Sequence, residues 1–285
     1  MISDISKIIL SSFSKKMNPG SVGTESVIND VSAEYAKFSG FAEIIGDNFY
    51  DIDRDNPVIP PFFIAAVAYP AIKELMFSKI LKANLLRLVH AEQDISVFRN
   101  INPDERFNIK AVIDSINTVS AGEIVNIISN VTSSGKNEPL MQSRTSFLIR
   151  GQKKPSSGKK NEDSFESVSE FKVAVPFDQA KKYAEVSGDK NPIHVNRFAA
   201  KAAGLPGTIL HGMCTLGMVN SVLVRELCRS DYNRYAGISG RFSKYVLPGD
   251  VLSIETGRRV KDFYMFEVKN VSGKPVISNG KFFVR

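Results

Sequence analysis

Apolar and polar residues alternate along SEFKVAV (169–175), the period of a strand with one face buried. The next stretch, PFDQAKKYAEV (176–186), opens on proline and sets its apolar residues at helical spacing. NRFAAKAAG (196–204) reads as a short helix, with Asn196 capping its start and Gly204 just past its end. HGMCTLGMVNSVLVREL (211–227) is apolar on nearly every side, which predicts a buried helix. Four runs rich in β-branched and aromatic residues come next, at 235–246, 250–260, 262–270 and 275–285. Pro248-Gly249 and Ser272-Gly273 mark turns between them. The order is strand, helices, then an antiparallel meander. One buried helix wrapped by a curved antiparallel sheet is the economical packing, an α+β arrangement.

The first half carries matching islands in the same order. YAKFSGF begins at Tyr35 and YAEVSGD at Tyr183, 148 residues later. At a similar spacing VIPPFF (58–63) lies opposite LPGTILHG (205–212). INPDERFNI (101–109) parallels VLPGDVLSI (246–254), 145 residues on. Three islands in one order predict an internal duplication. Between the copies, GQKKPSSGKKNEDSF (151–165) is polar, rich in Lys, Ser and Gly, and without apolar period. That is the composition of a linker or long surface loop. The expected organisation is a short N-terminal helix or tail over 1–19, a first repeat over 20–150, the linker, and a second repeat over 166–285.

Composition adds bounds. A chain of 285 residues agrees with two domains, and 43% hydrophobic with 24% charged residues suffices for a core. The net charge of +7, with pI near 9.3, suits an anionic partner, or it is simply a solvated basic surface. No recognised nucleic-acid motif accompanies the charge, so nucleic acid ranks lowest among such partners. Cys214 and Cys228 sit inside an apolar helical pattern, without metal-ligand or disulfide spacing. Neither a metal nor a disulfide framework is expected, and a reducing cytoplasm is the default. At the N-terminus an aspartate precedes the apolar run and lysines come after it, the reverse of a secretory signal. The run from Ile8 to Leu10 is too short to span a bilayer. The final KFFVR carries no peroxisomal tripeptide.

SGDKNPIH (187–194) contains one of only three histidines in the chain. Pro192 keeps Asn191 out of the helical region, so the chain bends between Asp189 and His194. Gly188 permits a tight approach at the start. A bend can aim the carboxylate and the imidazole at one point, whereas a helix would set positions five apart on different faces. Two such groups a few ångströms apart can hold a water. One takes its proton as the other delivers a proton to substrate, each role worth about 10²–10⁴-fold in rate. Asn191 could orient the water or the substrate. The plainer reading makes Asp189 and Asn191 turn formers and His194 structural.

His211-Gly212 opens the long apolar helix. Its first N–H groups lack intrahelical partners and carry the positive end of the dipole, where a carbonyl oxygen gaining charge is stabilised. Gly212 would let a thioester approach the backbone. For the His211 side chain, packing in the core at the helix start is the preferred reading.

YAEVSGDKNPIH, AAKAAG and LHGMCTLG, with RFSKYVLPGD after them, closely resemble the hydratase 2 motif of the MaoC-like (R)-specific enoyl-CoA hydratases. The resemblance covers most of residues 170–285. Residues 20–150 more weakly resemble the degenerate first repeat of the two-repeat members. It implies a double hotdog fold of the α+β class, each repeat an antiparallel sheet wrapped around a long central helix. It also implies an Asp/His pair in the second repeat and room for the acyl chain in the first. Phe41 opposite Asp189 and Gly46 opposite His194 fit that division. Carried over by position, Asp189 and His194 bind and activate the water, Asn191 assists, and the Gly212 N–H binds the thioester oxygen. Gly188, His211, Lys190, Lys201, Arg241 and Lys244 are expected on the substrate side, with Pro61 and Phe62 of VIPPFFIAAVAYP (58–70) at the acyl tunnel. Asn196 stands where many members have Asp, and Thr208 where some have Pro; neither change removes a catalytic group.

The implied substrate is an acyl-CoA or acyl-ACP thioester, with no cofactor and no metal, since water is the other reactant. A homodimer is carried as an expectation beside a monomer, with no membrane span. The implied reaction is reversible hydration of a trans-2-enoyl thioester, or equally dehydration of a (3R)-hydroxyacyl-ACP in fatty-acid synthesis. A hotdog thioesterase is the competing enzyme, and the GDKNPIH spacing argues against it. A non-catalytic acyl-thioester-binding subunit is the competing non-enzyme, and the intact Asp189, Asn191 and His194 argue against that.

Overall fold

Each repeat supplies five strands among the residues that the structure, a computed structural model, describes: 16–49, 58–151 and 165–285. The expected N-terminal helix or tail lies outside them up to residue 15, as does the linker from 152 to 164. The first five strands are β1 (Glu25–Ser32), β2 (Leu88–Val97), β3 (Arg106–Val119), β4 (Gly122–Ser133) and β5 (Pro139–Arg150). The second five are β6 (Ser169–Ala174), β7 (Tyr235–Phe242), β8 (Val251–Val260), β9 (Phe263–Lys269) and β10 (Pro275–Val284). They run in the order β1-β3-β4-β5-β2 and β6-β8-β9-β10-β7, the same order position for position. β3 begins at Arg106 and β8 at Val251, which keeps the 145-residue offset of the third island. The duplication read from three short islands therefore extends through both sets of five strands.

The helices are α1 (Tyr35–Ile45), α2 (Pro61–Val67), α3 (Tyr69–Met76), α4 (Gln179–Ser187), α5 (Pro192–Val195), α6 (Arg197–Ala202) and α7 (Gly212–Cys228). None of those described is long and apolar enough to cross a membrane. By contact, the described residues gather into two units. One holds 16–31, 68–95 and 106–151, and the other 32–49, 58–67, 96–105 and 165–285. Packing and repeat are thus two different divisions of the chain.

The first unit is built on long antiparallel pairings, β3 with β4 from Phe107↔Ser133 to Val119↔Gly122, and β4 with β5. Along β3 the alternate residues Phe107, Ile109, Ala111 and Ile113 are fully buried, the period-2 signature of a one-sided strand. α3 packs on β3 and buries Ile72, Leu75 and Met76.

The second unit holds the long helix expected at 211–227. α7 spans Gly212–Cys228, and Cys214 through Val224 are all buried. Each buried Leu or Val there is worth about 1.5–3 kcal/mol over exposure. α7 packs against β6, β7, β10 and α1. A Cβ on Gly217 would come within 3.0 Å of the Phe62 ring and 3.1 Å of Ile45, so the small residue sets how closely α1 and α2 approach.

Two details depart from the sequence reading. Among the described residues the first repeat has no single long central helix: α2 ends at Val67 and α3 starts at Tyr69. Pro70, in the first turn of α3, has no N–H for the carbonyl four residues back, and its ring crowds that carbonyl. In the second repeat α4 begins at Gln179, not Pro176. The Gly249 N–H bonds the Val175 carbonyl, and a Cβ on Gly249 would meet the Phe177 ring at 2.4 Å. Residues 176–177 are therefore held against the β8 turn, and Asp178 starts the helix with a Lys182 ion pair one turn on.

Candidate active site

The turn after α4 is built from short local bonds. Gly188 has φ +73° and closes the helix in the left-handed region, a conformation that costs a side chain of normal chirality. A Cβ there would meet nothing within 4 Å, so glycine serves the backbone angle and not a close approach. The Ser187 hydroxyl donates to the Tyr183 carbonyl at 2.7 Å and accepts from the Asp189 N–H at 3.2 Å. Asp189 Oδ1 accepts from the Asn191 N–H at 3.2 Å. Asn191 is extended (φ −56°, ψ 126°), as Pro192 requires. Its side-chain oxygen accepts from the Ile193 N–H at 3.3 Å and caps α5. Pro192 occupies the first position of that one-turn helix, and His194 lies buried on it.

The opposite wall comes from the chain entering α7. His194 Nδ1 donates to the Ile209 carbonyl at 2.9 Å, and His211 Nε2 donates to the Asp189 backbone carbonyl at 2.9 Å. Carbonyls only accept, so each bond fixes a tautomer of the neutral ring and leaves the other nitrogen as a lone pair. The two imidazoles stack with centroids 3.8 Å apart and planes 27° apart, and Tyr183 lies 5.0 Å from His211. One carboxylate oxygen of Asp189 and one ring nitrogen from each histidine lie within 4.8 Å of one another. A single water making two hydrogen bonds of about 2.8 Å spans such a gap.

Burial lowers the His194 pKa below its ordinary value, against the pull of the Asp189 charge and the Ile209 bond. Burial, helped by the nearby His194, pushes His211 down to about 4. Both rings are accordingly neutral at neutral pH. By distance alone the trio would accept a divalent cation.

In α7 the first ladder bond runs from the Thr215 N–H to the His211 carbonyl at 3.0 Å. The N–H groups of Gly212, Met213 and Cys214 precede the ladder and have no partner within the helix. A Cβ on Gly212 would meet the Phe242 ring at 3.2 Å, a tight contact from which the ring would have to shift by a few tenths of an ångström.

The structure thus brings Asp189, His194 and His211 together at the start of α7. It gives Asn191 a capping bond. Lys190, Lys201 and Lys244 are exposed, and Arg241 is half-buried on β7. Pro61 and Phe62 are buried on α2. Sequence reading missed two features. The four residues of α5 are too few for periodicity to register, although Asn before Pro was a usable cap signal. The His211 side chain is buried at the helix start as expected, but it also joins the cluster. Nothing local signalled this, because its partners Asp189 and His194 lie 22 and 17 residues back in the chain.

Residues 158–279 match the family model described as MaoC like domain, and residues 46–151 the MFE-2 hydratase 2 N-terminal domain. A Dictyostelium discoideum protein called probable enoyl-CoA hydratase 2 is 28% identical over 82% of this chain and 80% of its own length. Mouse peroxisomal multifunctional enzyme type 2 is 27% identical over 70% of this chain, which spans only 28% of that much longer protein. In structure, a MaoC-like dehydratase from Phytophthora capsici superposes with TM-score 0.79 at 20% identity, covering 94% of this chain and 98% of that one. A Mycobacterium tuberculosis protein described as a double hotdog fold superposes with TM-score 0.63 at 12% identity, over 95% and 98% of the two chains. The fold is therefore the double hotdog, and the chain belongs to the MaoC-like hydro-lyases, in the two-part form that joins a hydratase 2 N-terminal domain to a MaoC-like domain.

Proposed function

We propose that this hydratase/dehydratase adds water reversibly to a trans-2-enoyl thioester to give the (3R)-3-hydroxyacyl thioester. The observation that carries the reading is the pair itself: a neutral, tautomer-fixed His194 with a ring nitrogen within 4.8 Å of an Asp189 carboxylate oxygen. In the hydration direction Asp189 accepts a hydrogen bond from one O–H of the water, which stays intact, and His194 Nε2 takes the other hydrogen as a proton. The hydroxyl adds to Cβ, and negative charge moves to the thioester oxygen. The Gly212 N–H at the positive end of α7 stabilises that oxygen. The proton held on His194 then passes to Cα, so that H and OH have both been added and the groups return to their starting state. Dehydration runs the same steps backward.

No metal or redox group enters this scheme. The carrier is CoA or acyl carrier protein, and the basic excess that includes Lys190, Lys201, Arg241 and Lys244 attracts either anion. Pro61 and Phe62 belong to the acyl side of the site.

Incubation with crotonyl-CoA, read by mass and by chiral analysis, tests the reading. The expected product carries one added water, keeps its CoA and is the (3R) isomer. Release of free thiol with no hydrated product would instead mean thioester hydrolysis and would overturn it.

A further inference from the structure

We infer that His211 is a positioning residue of the catalytic pair, and that its neutral Nε2–H tautomer clamps the Asp189 backbone while its ring braces the face of His194. The inference rests on the assignment of Asp189 and His194 as the reacting pair, but it concerns how they are held.

Two bonds cross between two separate loops. His194, on α5, donates to the Ile209 carbonyl in the segment that leads into α7. His211, at the start of α7, donates back to the Asp189 carbonyl in the turn that precedes α5. The two rings face each other at 3.8 Å between these bonds. A backbone link from the Ile209 N–H to the Ile193 carbonyl, at 3.3 Å, closes the same gap. Rotation of either imidazole would break its carbonyl bond and open the stack, so each holds the other's orientation. The Asp189 carboxylate is otherwise held by one bond, at 3.2 Å, from the Asn191 N–H. The carbonyl clamp and the Asp189 N–H bond to the Ser187 hydroxyl together hold the backbone that carries it.

The second nitrogen of His211 supports this assignment over substrate binding. Nδ1 is buried and has no hydrogen-bond partner, and the residue is only 2% exposed. A ring serving substrate would present a nitrogen to the open side; this one has one nitrogen committed to backbone and the other enclosed. Enclosure also explains why the ring stays neutral. A proton on Nδ1 would place a charge in a buried position against His194. The neutral state is itself useful, because His194 must accept a proton during the reaction, and a cation stacked on it would oppose that step.

Three histidines in the chain make the test direct. ¹⁵N–¹H spectra of the imidazoles in the intact protein should show His211 as a neutral Nε2–H tautomer that does not titrate between pH 5.5 and 8. His194 should appear as the neutral Nδ1–H tautomer. A His211 signal that titrates in that range, or one of the Nδ1–H form, overturns the proposal whatever the enzyme catalyses.

Kinetics give the second arm. His211→Phe keeps a ring to stack but loses the donor. It should lower kcat by about 100-fold, the cost of a misplacement of about 1 Å, with KM changed less than about threefold. His211→Gln restores a donor and should recover much of that loss. Equal kcat for wild type and His211→Phe, or a rise in KM alone, would make the residue structural or substrate-binding and overturn the proposal. A wild type with the stated spectrum but no hydratase activity would leave the clamp standing and remove the proposed reaction instead.

Discussion

Ser-Gly occurs at the same place in both repeats, and the chain treats the two dipeptides in opposite ways. In the first repeat α1 runs straight through Ser39-Gly40 and stops only at Ile45, where Gly46 takes φ +75° as the cap. In the second repeat α4 stops at Ser187, and Gly188 itself takes the left-handed angle. The residues just beyond the dipeptide decide the outcome. After Gly40 come Phe41, Ala42 and Ile45, all buried. Phe41 packs against Phe63 at 5.5 Å and against Tyr183 at 5.7 Å, so continuing the helix buries a full apolar face. After Gly188 come Asp189, Asn191 and Pro192, which have nothing to bury and favour turns. One repeat thus closes its helix on Gly46, where the other places His194.

The largest break in the comparison is to remove the two groups proposed to react from the turn that carries them. Asp189→Asn and His194→Ala should each lower hydration by about 10²–10⁴-fold, with thermal midpoints near wild type. The double variant should be little worse than either single, since groups acting as a unit are not additive. Near wild-type turnover in Asp189→Asn would remove the assignment.

The next concerns Asp47, one residue past the position that matches His194. This carboxyl is fully buried. Burial raises its pKa to about 7, outweighing the hydrogen bond from the Tyr232 hydroxyl. In the unfolded chain it ionises near 3.8. Between those values the folded state keeps a proton that the unfolded state has released. Stability should therefore fall as pH rises from about 4 to about 7 and then level off, by on the order of 4 kcal/mol if this group acts alone. Asp47→Asn should flatten that part of the curve in urea titrations run at several pH values. An unchanged slope would mean that other groups set it.

A smaller effect sharpens the comparison of the glycines. Gly40→Ala adds a good helix former where a Cβ meets nothing within 4 Å, and should stabilise by about 1 kcal/mol. Gly188→Ala should destabilise by about 1–3 kcal/mol, because its angle is left-handed. Denaturant midpoints that moved in the same direction for both would sink the reading of two opposite roles. Smallest of all, dialysis against a chelator should leave the rate unchanged. A loss restored by added zinc would convert the Asp189, His194 and His211 trio from an acid/base site into a metal centre.

Much of the molecule could be read before any coordinates. The alternation at 169–175, the all-round apolar run at 211–227 and the four β-rich runs became β6, α7 and β7 to β10. Each is a local period imposed by burial of one face or of every face. The bend at Asn191 was also legible, because Pro192 restricts its neighbour sterically. The motif was legible as well, since one short stretch carries both the turn and the two reactive groups.

Tertiary structure alone decided the rest. Periodicity says which face of an element is apolar, not what meets it. So α1 and α2, encoded in the first repeat, could not be assigned from sequence to the unit that holds α7, where Gly217 admits Phe62 and Ile45. For the same reason His211 read as a helix-start residue. Its stack on His194 and its bond to Asp189 arise only when the chain returns across 22 residues to bring a second loop beside the first. The sequence by itself determined which groups could do the chemistry; the folded chain decided which of their atoms are free to do it, because hydrogen bonds to backbone carbonyls, invisible in residue order, set the tautomers.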